Sequence, residues 1–261
     1  MGLRDALYRV YWRLERALAP RLRYAQELYE EELCSRVTSE TRWLDAGCGH
    51  QILSPWRLSQ ERRLVAKPML GVGVDSDLDS LHRHRTLGLR VCADIGRLPF
   101  AEGSFDLVTA NMVFEHLPDP TRQFRETARV LAPRGILLVH TPNARGYATL
   151  MARLAPQWLK RRVIRLLEGR GDDDAFVTYY RANSRSRLVR LARESGLEPL
   201  AIEMKVSTAV FAVVPPVAAL ELLWVRLLMT RPFGPIRTNI IAAFSRLAPT
   251  QGNQMAVDIA P

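Results

Sequence analysis

Apolar residues along this chain gather into short runs, and each run ends in an acid, a glycine or an asparagine. Trp43 and Leu44, Leu70 to Val74, Leu89 to Ala93, the stretch 103–111 and Ile136 to His140 read as buried strands. Helical patterns lie between them. After Asp75, residues 76–85 form a helix capped by Ser76 or Asp77 and closed by Gly88. Pro120 to Leu131 sets Phe124, Ala128 and Leu131 on one face and arginines on the other, and residues 132–135 stop it. Strands alternating with helices make a parallel α/β sheet the economical architecture.

The outer parts of the chain follow looser patterns. Residues 3–33 read as helix, with Leu3, Leu7, Val10, Tyr11, Leu14 and Leu18 at helical spacing, arginines between them and Pro20 breaking the series. Asn183 or Ser184 caps a helix that runs to Glu194 and ends at Gly196. A sixth strand follows from Glu198 to Val206, and Arg237 to Arg246 reads as a seventh. Residues 158–167 form a basic amphipathic helix, followed by the loop 169–174. The most apolar stretch is 208–229, close to the ~20 residues a membrane span needs. Glu221, Arg226 and the Pro215-Pro216 pair oppose a simple span, because a carboxylate and a broken backbone are both costly in lipid. A buried helix or dimer face, and contact with a membrane or an apolar substrate, remain as readings of that stretch.

Candidate chemistry sits at the strand ends. Asp45-Ala-Gly47-Cys-Gly49 follows the first strand, and two glycines one residue apart let backbone N–H groups approach a ligand. Asp75, ending the second strand, suits a bidentate bond to ribose hydroxyls. Asp94 and Ile95 follow the third strand, where an adenine would find a carboxylate for its amine and an apolar side chain for its ring. Asn111 to Leu117 follows the fourth, at the switch point of an open α/β sheet. His116 there is a candidate general base or orienting group, and the alternative is that Glu115 and His116 only shape the loop. His82 and His84 are two apart and face different ways, so no metal is expected.

The ordered series L-D-A-G-C-G, G-V-D, A-D-I-x-x-L-P-F, S-F-D-L-V-x-A-N, E-H-L-P-D-P and R-V-L-A-P-R-G-I-L-L-V resembles the class I S-adenosylmethionine-dependent methyltransferases. The resemblance is to the small-molecule branch similar to ubiquinone and menaquinone methyltransferases, and covers roughly residues 40–143 with a weaker match to 247. It implies a Rossmann-like, seven-stranded, mostly parallel sheet with an antiparallel last strand, and helices on both faces. It implies S-adenosylmethionine as cofactor, with Asp45, Gly47 and Gly49 on its methionine and ribose side, Asp75 on the ribose, Asp94 and Ile95 on the adenine, and Asn111 beside the reacting centre. A substrate cover after the fifth strand makes Tyr179, Tyr180 and Arg181 candidate acceptor contacts. The implied organisation is an N-terminal helical cap over 1–37, a methyltransferase domain over 38–247 with helical insertions at about 144–182 and 208–236, and a loose tail over 248–261.

Composition narrows the rivals. A chain of 261 residues with 48% apolar content can bury one sizeable core. Its net charge of +10 admits nucleic acid, an anionic membrane surface or an acidic substrate, and the lack of an aromatic-basic RNA signature, finger spacing or lysine tract ranks nucleic acid last. Cys34, Cys48 and Cys92 lack C-x-x-C spacing and read as reduced thiols, with Cys48 a small filler in the glycine turn. Charges at short intervals in residues 1–23 interrupt any secretory h-region, so a cytoplasmic protein, with membrane association through its basic amphipathic segments, is expected. The expected partners are a small-molecule acceptor and, for the apolar stretch, a second copy in a homodimer. A nicotinamide-dependent oxidoreductase shares the glycine turn and ribose acid but would want glycine where Ile52 stands. A catalytically silent binding scaffold is the other rival, because Gln51 and the proline-broken, arginine-rich stretch after it depart from the family pattern.

Overall fold

A computed structural model describes residues 3–154, 177–207 and 211–248. Its centre is a seven-stranded sheet of β1 (Arg42–Ala46), β2 (Leu70–Asp75), β3 (Leu89–Cys92), β4 (Phe105–Asn111), β5 (Leu131–Pro142), β6 (Leu197–Lys205) and β7 (Asn239–Arg246), in the order β3-β2-β1-β4-β5-β7-β6. Strands β1 to β5 pair in parallel, and β7 runs antiparallel to both β5 and β6. The parallel part is what the strand patterns predicted, and the seven strands with the antiparallel last one are what the family resemblance implied. Both faces are buried, which is why the strands read as apolar runs: along β1 Trp43 joins one core layer and Leu44 the other, and along β4 Leu107 and Val108 divide in the same way.

One face is covered by α5 (Pro120–Val130) and α7 (Arg185–Glu194), with α6 (Tyr147–Leu154) nearby in the chain. Phe124 of α5 is fully buried and meets Phe114 edge-on at 5.1 Å and Phe244 of β7 at 6.3 Å. Each such pair is worth about 0.5–1.5 kcal/mol beyond its buried area. Asp119 caps α5 by accepting from the N–H groups of Thr121 and Arg122, and Ser184 caps α7 by accepting from Arg187. The opposite face is covered by α2 (Ala25–Arg36), α3 (Leu58–Val65) and α4 (Leu78–Arg83), with Tyr29, Leu33, Leu64 and Leu81 in that layer.

Two boundaries differ from the sequence patterns, and the proline-broken stretch after the glycine turn is irregular as expected. Residues 132–135 do not precede the fifth strand but bulge from within it: Phe105 pairs with Leu131 and Leu107 with Ile136, leaving four residues opposite one, with Arg134 at φ 65°. The helix after Asp75 is capped by Asp77 and stops at Arg83 rather than at Gly88, because His84 is already extended. Pro55 opens a short 3-10 turn, Pro55–Arg57, before α3 begins.

The first 37 residues divide between two environments. Tyr29, Leu33 and Val37 of the α2 region pack on the sheet, whereas α1 (Leu3–Leu18) packs through Tyr11 with Ala218 and Leu222 of α8 (Pro215–Leu228). Glu221, the carboxylate inside the apolar stretch, is buried and accepts from the Tyr147 hydroxyl and the Phe211 N–H, both at 2.8 Å. A group that would be costly in lipid thus ties α8 to α6. Among the described residues no helix is long and apolar enough to cross a membrane. The basic helix and loop read over 158–174, residues 208–210, and the tail from 249 lie outside the described residues.

Candidate active site

The turn after β1 is shaped by two glycines with positive φ, Gly47 at 74° and Gly49 at 53°. A Cβ on Gly47 would stand 2.4 Å from a Val113 methyl, so glycine is required there both for conformation and for space. The N–H groups of Gly47 and Cys48 donate to Val74 O at 2.7 and 3.0 Å, holding the turn against β2. Cys48 packs its thiol over Gly73, and burial together with Asp45 and Asp75 raises its pKa, so it is a filler and not a nucleophile. The irregular stretch after the turn is held by two buried carboxylates. Glu61 accepts from the Ile52 and Leu53 N–H groups at 3.2 and 2.9 Å, and Glu30 accepts from Ser54 N at 3.0 Å and pairs with Arg57. The departure at Gln51 is therefore a built loop whose donors are satisfied.

A cleft of about 470 Å³ opens at the carboxyl ends of β1, β2 and β4 and at the loop after β3. Its walls include Gly47, Gly49, Asp75, Asp94, Ile95 and His116 from the residues singled out in the sequence. Asp75 is half-buried and accepts from Gly49 N at 2.8 Å and Asp77 N at 2.9 Å, which aims the carboxylate across the glycine turn. Asp94 accepts from Gly96 N at 2.8 Å and faces the Arg122 guanidinium at 3.5 Å. The loop bearing it is fastened to α5, since Arg122 donates to Gly96 O while Arg129 donates to Leu98 O and Phe100 O.

Asp45 and Asn111 do not reach the cleft wall. They belong to a polar layer behind it, on the α2 side of the sheet. Asp45 is buried and accepts from the Thr109 hydroxyl at 2.5 Å, and that hydroxyl accepts from Trp43 Nε1 at 2.8 Å. Burial raises the Asp45 pKa to about 7 against the pull of the Thr109 bond, with Glu61 and Asp75 adding to the rise. His140 lies between Asn111 Oδ1 at 2.8 Å and Asn239 Nδ2 at 2.9 Å. An amide oxygen only accepts and an amide nitrogen only donates, so Nδ1 carries the proton and Nε2 is the acceptor. The ring is neutral, its pKa lowered to about 4 by burial, and it stacks on Tyr29 at 5.4 Å.

His116 stands in the 3-10 turn Phe114–His116, directly after β4. Its Nδ1 is 2.9 Å from Val177 O, which fixes the proton on Nδ1 and makes Nε2 the basic nitrogen of the neutral ring. The Glu115 carboxylate is buried beside it: Oε1 lies 3.9 Å from His116 Nε2, Thr141 Oγ1 donates to the carboxylate at 2.9 Å, and burial raises its pKa. Tyr179 and Tyr180 both donate their backbone N–H to Glu115 O, at 2.7 and 3.1 Å, and Arg181 donates to Pro118 O at 2.5 Å. The structure therefore places 177–181 as a strap behind the cleft's β4–α5 wall, with Arg153 over the Tyr180 ring at 4.6 Å. None of Tyr179, Tyr180 and Arg181 lines the cleft itself.

A methyltransferase domain model matches residues 44–139, which hold the glycine turn, Asp75, Asp94 and His116. The ubiquinone biosynthesis O-methyltransferase of Bordetella bronchiseptica is 33% identical over 170 residues, covering 62% of this chain and 64% of that protein. Residues 44–139 are thus similar to a methyltransferase domain, and the chain is similar over 170 residues to an O-methyltransferase. A malonyl-[acyl-carrier protein] O-methyltransferase of Methylovorus is 36% identical over 109 residues, 38% of this chain and 36% of its own length. The chain thus spans less than two thirds of either relative. Among solved structures, an S-adenosylmethionine-dependent methyltransferase from Mesorhizobium loti superposes with a TM-score of 0.54 over 83% of this chain and 96% of its own, at 19% identity, and so shares the fold. Relatives of this kind are S-adenosylmethionine-dependent, and the cleft has room for such a cofactor: a turn open to a ligand, the Asp75 carboxylate held across it, and Gln123, whose buried Oε1 has no partner among the described residues.

Met112 and Val113, within the switch-point stretch read from the sequence, line the cleft, with Met112 at φ 57°. Sequence reasoning missed Arg122 and Gln123 as cleft residues. Arg122 and Gln123 carried a usable signal, since they occupy the first turn of a helix that starts at the switch point. Among the described residues no group of three His, Cys, Asp or Glu side chains could hold a metal ion.

Proposed function

We propose that this protein transfers a methyl group from S-adenosylmethionine to an oxygen or carbon nucleophile of a small, apolar or lipid-linked acceptor. The observation that carries the reading is the Asp75 carboxylate, bound by Gly49 N across a positive-φ glycine turn at the switch point of the sheet. Asp75 takes the ribose hydroxyls, while Gly47 and Gly49 let the backbone approach the methionine side. Asp94 and Ile95 flank the adenine, and Gln123 Oε1 accepts from an amine. Satisfying that buried acceptor is worth about 1–3 kcal/mol. Asp45 and Asn111 act by positioning, through Thr109 and His140, on the strands that carry the turn.

When bound, S-adenosylmethionine supplies a methyl carbon activated by the adjoining sulfonium. The chain's part is to hold the acceptor oxygen or carbon in line with it, and alignment alone can remove several kcal/mol of barrier, on the order of 7 or more in favourable cases. His116, on the cleft wall with its Nε2 3.9 Å from the Glu115 carboxylate, is the residue placed to take the acceptor's proton. Tyr179, Tyr180 and Arg181 brace that wall toward the acceptor side. The segments 1–37, 144–182 and 208–236 act as cap and insertions around the 38–247 domain.

The outer face of α8 supports contact with an anionic membrane. Leu220, Leu223 and Leu227 form one exposed stripe opposite the buried Ala218 and Leu222, and the exposed Arg13, Arg16 and Arg226 lie on the same helix pair. A homodimer through this stripe is the competing outcome.

Calorimetric titration with S-adenosylhomocysteine, with NAD in parallel and Asp75→Ala as control, tests the reading. Micromolar binding that the variant loses supports it. Binding of NAD instead, or of neither ligand, overturns it, and tight homocysteine-product binding without turnover on any acceptor moves the assignment to a silent binding protein.

A further inference from the structure

A second cavity lies apart from the cofactor cleft. It has a volume of about 710 Å³ at the far end of the same sheet edge, beyond β5, and shares no lining residue with the cleft. Four arginines line it: Arg145 after β5, Arg185 in the first turn of α7, Arg231 after α8 and Arg237 before β7. Its apolar wall is Val189 of α7 with Ile202 and Met204 of β6.

We propose that this cavity binds the phosphate or diphosphate end of an anionic amphiphile, whose carbon chain lies on the Val189, Ile202 and Met204 wall. Among the described residues none of the four arginines is paired with a carboxylate. Arg237 is fixed on the lining by donating to the carbonyls of Leu228, Met229 and Met204 at 2.8 to 3.0 Å, the first two at the carboxyl end of α8, so the anion's charge is met chiefly by Arg145, Arg185 and Arg231. The first turn of α7 holds Arg185 and Arg187 and no acid, the reverse of what the helix dipole favours. Like charges converge around one opening against local electrostatic preference, and an anion with several oxygens removes that conflict. Guanidinium groups bind such oxygens bidentately. An inorganic ion alone would leave the apolar wall unused, which is why the ligand class is an amphiphile.

The inference stands apart from the reading of the cleft. Its test is titration of the full chain at physiological salt with hexyl phosphate, pyrophosphate and inorganic phosphate, with S-adenosylhomocysteine in parallel. Hexyl phosphate should bind at least about tenfold more tightly than inorganic phosphate, the contribution of a short apolar chain reaching a dry wall. The variant Arg145→Gln/Arg185→Gln/Arg231→Gln should lose at least about tenfold toward hexyl phosphate and pyrophosphate, two or more charge-assisted contacts being removed, while its thermal transition stays that of the parent. The variant Arg13→Gln/Arg16→Gln/Arg21→Gln, with the same change in net charge, should keep full binding. Equal losses in the two variants would show only a basic surface and overturn the site. Equal affinity for hexyl and inorganic phosphate would overturn the amphiphile. Anion binding without S-adenosylhomocysteine binding would leave this site standing and remove the methyltransferase reading instead. Vesicles with and without phosphatidic acid then separate a lipid headgroup from a soluble phosphate ester as its source.

Discussion

The two ends of one sheet edge are built in different ways. At the β2-β1-β4 end, the cleft is assembled from residues at strand exits, each followed at once by a turn that fixes its direction: Asp75 is held by Asp77 N two residues on, and Asp94 by Gly96 N. At the β5-β7-β6 end, the cavity draws Arg145, Arg185, Arg231 and Arg237 from four separate connections, and Asn143 reaches across 94 positions to Arg237 O. The first kind of site is a property of local turns on a regular sheet. The second exists only when distant segments have packed. What joins them is the aromatic series Phe114, Phe124 and Phe244, which runs from beneath the switch-point loop to β7.

Phe124→Ala attacks that shared floor and carries the largest expected effect. The buried ring's loss should cost about 3–5 kcal/mol of stability in urea unfolding, and both ligand sites should weaken together. If only one site weakens, the two ends are supported independently. Asp75→Ala separates them. S-adenosylhomocysteine affinity should fall about 100-fold, in keeping with two hydrogen bonds to a charged group, while pyrophosphate binding stays at the parental value. A parallel fall in both would contradict the division drawn here.

The polar layer behind the cleft gives a pH-dependent contrast. Asp45 titrates near 3.8 when unfolded and about 7 when folded, so the folded state binds more protons between those values and its stability falls as pH rises through them. His140 moves the opposite way, from 6.5 to about 4, so the unfolded state binds more protons there and stability rises with pH from 4 to 6.5. The two slopes oppose each other over that shared window. Asp45→Asn removes the falling slope, so relative to the parent its stability should climb across pH 4 to 7 by about 1.4 kcal/mol per unit at most. Urea midpoints measured every half unit check this, and parallel curves for parent and variant would show that Asp45 is not the group responsible.

The smallest expected effect concerns the outer helices. Replacing Leu220, Leu223 and Leu227 with Gln should reduce partition onto phosphatidylglycerol vesicles by about tenfold, with no change in cofactor affinity. Unchanged partition together with a lost dimer in sedimentation would assign the stripe to a second copy.

Much of the cleft was legible because its signals are local. A glycine pair after Leu44, acids after Val74 and Ala93, and a polar loop after Ala110 each follow from a strand ending, and the strands themselves are visible as apolar runs. Asp45 and Asn111 show where that logic stops. Both stand at strand ends, yet the pleat decides which face a side chain takes. Asp45 shares the face of Trp43 and so enters the layer beneath α2, where Thr109 meets it. Tyr179 to Arg181 were visible as an aromatic and basic cluster, but the tyrosines are tied by backbone N–H bonds to Glu115 O and Arg181 by its guanidinium to Pro118 O, and which backbone carbonyl a residue reaches leaves no trace in the sequence.

By itself the sequence determined the alternation of elements, the order of the acids along the cleft and the chain's basic charge, since periodicity, turn chemistry and ionisation are properties of neighbouring residues. Only the tertiary structure decided that Glu221 is a buried anchor for Tyr147 and Phe211 and not a charge facing lipid. It alone decided that His140 is neutral between two amides, and that four arginines from separate connections surround one cavity. Each of these depends on which distant groups exclude water together, and that is settled by packing across the sheet.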